Sequence, residues 1–287
     1  MYGFNAQAQI RVFACEPEWG ALATELAGDR VNIFIATTAQ QDPHHIEARP
    51  SLIAKMRRAD IVVCTGAELE VGWLPLLLRT SGNKKVQVSQ PGYFSATNFI
   101  ETIEKPERLD RSLGDVHAAG NPHAHLDPYR LLIIAEALKN RFIKIDPQAA
   151  SHYQQHFDDF KQRWQTAVEQ WEKQASALKN TQAIVFHRNW AYLFKWLGIQ
   201  RVAELEPIPG LPPSAKHLTK LKKQFADTSP DFIVYGPHQR AKPANWLSDQ
   251  INSPVIELPF TVGGNKHANN LFTLYDSTIE LLLSKLK

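Results

Sequence analysis

The residues with most chemistry to offer are histidines set beside acids and prolines. The first group is Asp42-Pro43-His44-His45-Ile46-Glu47. Imidazole is the commonest protein metal ligand, and a nearby carboxylate can fix which ring nitrogen carries the proton. Pro43 stiffens the backbone ahead of His44. Adjacent histidines do not normally turn both rings to one ion, so His44 is the candidate ligand, with His45 facing solvent or supporting it. The second group is Gly114-Asp115-Val116-His117 with Asn121-Pro122-His123-Ala124-His125-Leu126-Asp127-Pro128. Its histidines are dense for a chain with 11 in all. The third is His187, just after the apolar run Ala183–Phe186. Taken singly, each group reads equally as a surface cluster or a hydrogen-bonded structural histidine. Glu206, His238 and Glu257 also fall near strand ends, where a salt bridge is the plainer reading of Glu206 and a loop polar group that of His238.

These groups need rigid elements to aim them. Strands are expected at Ile10–Ala14, Val31–Ala36, Ile61–Cys64 and Val86–Val88. Helices are expected at Trp19–Leu26, Pro50–Arg58, Trp73–Ser81 and Tyr129–Asn140, the last opened by Pro128 with Asp127 as its cap. Residues 90–120 read as a long surface loop. In the second half the strands are Ala183–Phe186, Arg201–Leu205, Phe232–Tyr235 and Val255–Leu258. The helices there are Trp190–Leu197, Ala215–Phe225 capped by Ser214, Trp246–Ile251 and Ala268–Lys285. Strands alternating with helices imply parallel sheets, whose ligands lie beyond the carboxyl ends of the strands. Glu68 or Glu70, in the loop after Cys64, is expected to cap the next helix or to support the site.

Between the halves, Tyr153, Phe157, Phe160, Trp164, Val168, Trp171, Ala175 and Leu178 step by three or four residues. That is one buried stripe of a long helix. With Asp146 as cap and Pro147 in the first turn it would rise about 50 Å at 1.5 Å per residue. The bulky rings fit a spine between two lobes better than a two-stranded coiled-coil seam. The expected fold is therefore α/β, two lobes with parallel sheets linked by one long spine helix. Its parts are residues 1–9 as a disordered or signal-peptide remnant, 10–145 as the first lobe, 146–179 as the linking helix and 180–287 as the second lobe.

A net charge of +3, without blocks of like charge, gives no case for nucleic acid. No apolar run reaches spanning length, so the chain is not itself expected to cross a membrane. Ala6-Gln7-Ala8 has the small-x-small form of a signal-peptidase site, although a plain disordered start fits as well. Cys15 and Cys64 both end strands. They suit a disulfide in an oxidising compartment or two buried thiols.

At these residues the chain resembles the zinc- and manganese-binding solute-binding proteins of ABC importers, the ZnuA/TroA-like cluster A-I family. The likeness runs from Arg11 to the final helix. It rests on the Asp42-Pro43-His44 motif, on His123 ahead of Asp127-Pro128, and on His187 ahead of the aromatic-rich Trp190-Ala191-Tyr192-Leu193-Phe194. The resemblance implies a periplasmic, monomeric, non-enzymatic protein whose signal peptide is mostly absent from this sequence. It implies a metal in the interlobe cleft, with His44, His123 and His187 as ligands, delivered to an ABC transporter permease in the inner membrane. The family often ends its ligand set with an Asp near the last strand. Here Glu257-Leu258-Pro259-Phe260 stands instead, so the fourth position falls to Glu257, a water or His238. The long His-rich loop of many zinc members is missing, and the shorter His117–His125 cluster stands in its place.

Three imidazoles with at most one oxygen favour Zn²⁺ over Mn²⁺, while Cu²⁺ and Ni²⁺ would also bind them. Nanomolar-class affinity, about −12 kcal/mol, is expected. It should weaken as pH falls through about 6.5, because only neutral imidazole binds a cation. Two other classes remain. A zinc hydrolase would need a placed general base, yet the chain has no His-Glu-x-x-His and no Gly-x-Ser-x-Gly. A binding protein for a larger chelate, such as a siderophore or corrinoid, would need a cleft lined by Arg and aromatics.

Overall fold

The computed structural model describes residues 9–106, 114 and 117–286. Ala6-Gln7-Ala8 and Asp115 lie outside the described residues. Two compact units emerge. The first comprises Met1–Glu101 and Leu132–Trp164, the second Thr102–Leu131 and Gln165–Lys287.

The first unit holds a parallel sheet of β1 (Ile10–Ala14), β2 (Val31–Ile35), β3 (Ile61–Cys64) and β4 (Tyr93–Ser95) in the order β2-β1-β3-β4. Val12 lies level with Ile33 on one side and Ile61 on the other. Every residue of β3 is buried, as expected of a strand covered on both faces. The covering helices include α1 (Pro17–Ala27), α2 (Pro50–Arg58) and α3 (Leu74–Ser81). Each carries Pro in its first turn, where a missing N–H costs nothing.

Two expectations for this unit fail. Val86–Val88 is not a strand, because Lys84–Val86 forms a 3₁₀ turn that buries Val86 and leaves Val88 exposed. The fourth strand is Tyr93–Ser95, inside the stretch read as loop. Three residues are too few to show a period of two, and this strand exists through its pairing with β3, Val63 level with Phe94.

α4 (Pro128–Ile145) runs five residues beyond the expected Asn140, and Asp127 caps it by accepting the backbone N–H of Tyr129 and Arg130 at 3.0 and 3.1 Å. α5 (Ala150–Gln174) is the long helix, shorter than expected because 3₁₀ turns occupy Pro147–Ala149 and Ala175–Leu178. All eight residues of the expected stripe are buried, Tyr153 to Trp171 on α5 and Ala175 and Leu178 in the 3₁₀ turn that follows. Asp146 does not cap it. Its carboxylate takes Arg30 at 2.8 Å and the Tyr153 hydroxyl at 3.0 Å, and a charged partner outbids a backbone N–H.

The second unit repeats the winding. β5 (Gln182–Val185), β6 (Gln200–Glu204), β7 (Phe232–Tyr235) and β8 (Val255–Glu257) are parallel, in the order β6-β5-β7-β8. α6 (Ala191–Leu197), α7 (Ala215–Gln224), α8 (Ala241–Ile251) and α9 (Leu271–Leu283) complete it. Ser214 caps α7 by accepting the His217 N–H at 3.2 Å. α8 starts at Ala241 instead of Trp246, since Pro243 is tolerated in a first turn. α9 starts at Leu271, where Asn270 and Thr273 form a capping box.

Candidate metal centre

His44 belongs to the loop after β2, at the carboxyl end of the first sheet. Pro43 and Ile46 are buried on either side of it, and Ile46 joins the apolar cluster of Phe13, Leu52 and Trp73. The Trp73 indole N–H donates to the Pro43 carbonyl at 2.9 Å. Asp42 Oδ1 accepts from the His44 backbone N–H at 3.0 Å and from its Nδ1 at 2.7 Å. The ring is thus held as the tautomer whose Nε2 carries the lone pair. His45 is exposed, as expected.

In the second unit His187 follows β5 and Glu206 follows β6, its neighbour in the sheet. His187 Nδ1 donates to Glu206 Oε2 at 2.7 Å, which also accepts the Gly210 N–H at 3.0 Å. In place of the expected salt bridge, Glu206 makes a hydrogen bond with the neutral ring of the candidate ligand. His123 is 2 % exposed, and its ring lies 6.3 Å from that of His187, nearly perpendicular at 86°. Asn121 sets this pairing. Its Oδ1 accepts the His123 N–H at 3.0 Å, its amide donates to the Arg188 carbonyl at 3.0 Å, and its own carbonyl accepts the Tyr192 hydroxyl at 2.8 Å. Sequence reasoning missed that role, for which the Asn-Pro turn before His123 was the only signal.

His117, His123, His187, Glu104 and Arg188 line one cavity of about 40 Å³ in this unit. A cavity of that size admits a bare ion or a water or two, far below the roughly 300 Å³ of the smallest ordinary organic-ligand pockets. His125 points elsewhere. Its Nε2 donates to the Phe260 carbonyl at 2.6 Å and its carbonyl accepts the Tyr275 hydroxyl at 2.7 Å. His238 packs edge-on against Phe260, with ring centroids 4.8 Å apart. Glu257 is exposed and accepts the Tyr235 hydroxyl at 2.7 Å.

In the first unit Cys15 and Cys64, at the ends of neighbouring strands, form a disulfide across 4.8 Å between Cα atoms. A Glu70 oxygen lies within 4.8 Å of their sulfurs. Sulfurs spent on one another offer no thiolate, so this group is no metal site. Glu70 does not cap α3. The turn at Gly66, Ala67 and Glu68 takes φ of 82°, 48° and 66° and folds Glu70 back beneath β3. There it accepts the Thr65 N–H at 2.7 Å and the Gly66 N–H at 3.1 Å.

A family model described as zinc-uptake complex component A, periplasmic, matches residues 12–284. The zinc-binding lipoprotein AdcA of Streptococcus pneumoniae is 24 % identical over 230 residues, 79 % of this chain and 45 % of AdcA. The chain thus spans about half the length of the first curated relatives it matches. The manganese ABC transporter substrate-binding lipoprotein PsaA of the same species is 23 % identical over 272 residues, 90 % of this chain and 81 % of PsaA. Among solved structures, a crystal structure of ZnuA superimposes with a TM-score of 0.77 at 18 % identity, covering 95 % of this chain and 99 % of that one. It shares the fold of two parallel sheets and a long helix.

Proposed function

The chain belongs to the family of periplasmic zinc-uptake complex component A, and from that membership we infer that it captures a divalent cation, Zn²⁺ first, and delivers it to the permease of an ABC importer. The observation that carries this reading is the repeated pairing of imidazole with carboxylate. His44 on Asp42 and His187 on Glu206 are each fixed through Nδ1 at 2.7 Å, so each turns Nε2 to a ligand. Orienting partners of this kind are the usual companions of metal-binding histidines.

We assign His44, His123 and His187 to one ion. The fourth position falls to a water, with Glu257 and His238 as the protein candidates. Three neutral imidazoles suit Zn²⁺, while Mn²⁺ and Cu²⁺ compete through supply more than through fit. The cation is cargo here, and release to the permease requires that it leave intact. Operation is on the periplasmic side, as a monomer. Among the described residues no helix is long and apolar enough to cross a membrane.

The small cavity beside His123 and His187 favours a bare ion over a siderophore or corrinoid. A family of uptake components gives no support to the hydrolase alternative. The test is elemental analysis of the purified protein followed by competitive zinc titration. One equivalent of Zn²⁺ bound in the nanomolar range is expected, and millimolar binding would overturn the assignment.

A further inference from the structure

Beneath the carboxyl ends of β1 and β3 two carboxyl groups are buried together. Glu16 and Glu70 are each 3 % exposed. Both reach the same donor: the Thr65 N–H lies 2.7 Å from Glu70 Oε1 and 3.3 Å from Glu16 Oε2. Glu16 Oε2 also accepts the Thr65 hydroxyl at 3.0 Å, and that hydroxyl accepts the Trp19 indole N–H at 2.8 Å. Among the described residues, none donates a hydrogen bond to the buried Glu16 Oε1. A bare anionic oxygen so placed would be costly, whereas a protonated one can donate to the neighbouring carboxylate.

We propose that Glu16 and Glu70 share a single proton and serve as the positioning pair of the His44 loop, Glu16 holding the proton and Glu70 the charge that locks the Thr65–Gly66 turn. The proposal rests on the reading of His44 as a ligand. Two carboxylates crowded into an apolar interior cannot both ionise. Burial raises the Glu16 carboxyl well above the usual range, and the charges on Glu70 and Glu18 raise it further. Burial pushes Glu70 up to about 7, opposed by backbone N–H groups including those of Gly66 and Thr65. The other titratable groups facing the pair are Glu18 on α1 and Tyr93 on β4. The Tyr93 hydroxyl is raised by burial and by the charge on Glu70.

The link to His44 is short. The Glu70 carbonyl accepts the Trp73 N–H at 3.1 Å, and the Trp73 indole holds the Pro43 carbonyl. A side chain on Gly72 would come within 3.1 Å of the His44 carbonyl, so the two loops are packed directly together. Glutamine is a fair copy of a protonated glutamate and a poor copy of an ionised one. The two acids should therefore respond differently to the same substitution.

The test compares wild type, Glu16→Gln and Glu70→Gln of the full chain. Infrared spectra near pH 7 should show the carbonyl band of a protonated carboxylic acid in wild type, lost in Glu16→Gln. Without metal, the ¹⁵N shifts of the His44 ring should stay in place in Glu16→Gln and move in Glu70→Gln. Zinc affinity should hold in Glu16→Gln and fall about tenfold in Glu70→Gln, the scale of a lost orienting partner. Equal effects of the two substitutions, or no acid band at neutral pH, would overturn the proposal. Should Glu70→Gln fail to fold, Trp73→Phe removes the N–H to Pro43 together with part of a buried ring, and unchanged His44 shifts there would equally sink it. A wild type that takes up no zinc would refute the ligand reading alone, since the infrared band and the ring shifts need no metal.

Discussion

His187 Nδ1 lies 2.7 Å from Glu206 Oε2, with both side chains nearly nine-tenths buried at 11 % and 12 % exposure. A carboxylate so placed can only accept, so the imidazole proton sits on Nδ1. Asp42 does the same for His44 at 2.7 Å, from within its own loop. His44 and His187, each beyond a strand end of a different sheet, thus carry their proton on the same ring nitrogen.

Removing either orienting charge tests this. Asp42→Asn and Glu206→Gln are each expected to weaken zinc binding by about 10–100-fold while leaving the melting temperature nearly unchanged. Isothermal or competitive titration reads the affinity. Wild-type affinity in both variants would show that the carboxylates do not tune the site.

Losing a proposed ligand should cost more than losing its orienting partner. Alanine at His44, His123 or His187 is expected to reduce affinity beyond that 10–100-fold range. His125→Ala serves as the control. It strands the buried Phe260 carbonyl, so about 1–3 kcal/mol of stability should go while zinc affinity stays. If His44→Ala bound zinc normally, His44 would have no part in the site.

The buried acid pair carries a pH signature. Burial holds both carboxyls above the ordinary glutamate value of about 4.3. Between that value and neutrality the folded chain keeps a proton that the unfolded chain has lost, so this stabilisation, full in acid, fades as pH rises. The slope is about 1.4 kcal/mol per pH unit for one proton. Glu16→Gln removes the share that belongs to Glu16, so the variant should gain on wild type in urea melts from pH 5 to pH 7. A difference that stays flat across that window would count against a shared proton.

The disulfide closes a span of 49 residues. By the chain-entropy account its loss costs up to about 4 kcal/mol. Cys15→Ala/Cys64→Ala should therefore melt lower, as should wild type under a dithiol reductant. Zinc binding to the folded fraction should persist, because the sulfurs are not ligands. Equal melting of reduced and oxidised protein would contradict the bond.

What could be read from the chain alone followed how local the cause was. The α5 stripe was legible because eight buried residues repeat at the helical period. His44 stood out with its partner, since Asp42 is two residues away. Glu206 did not announce itself as the partner of His187, because 19 residues separate them and only the pairing of β5 with β6 brings them together. β4 was illegible for the same reason, as three residues become a strand only against β3. Glu70 misled because an acid ahead of a helix looks like a cap, and the positive φ of Gly66, Ala67 and Glu68 leaves no mark that composition reveals.

Gly66 sits in that turn with φ of 82°, and a Cβ there would run into the Ser95 and Thr97 hydroxyls. The site thus rests on a residue with no functional group at all. A saturation library scored for metal uptake should return only the native codon family at position 66, while the exposed His45 next to the proposed ligand His44 tolerates nearly anything.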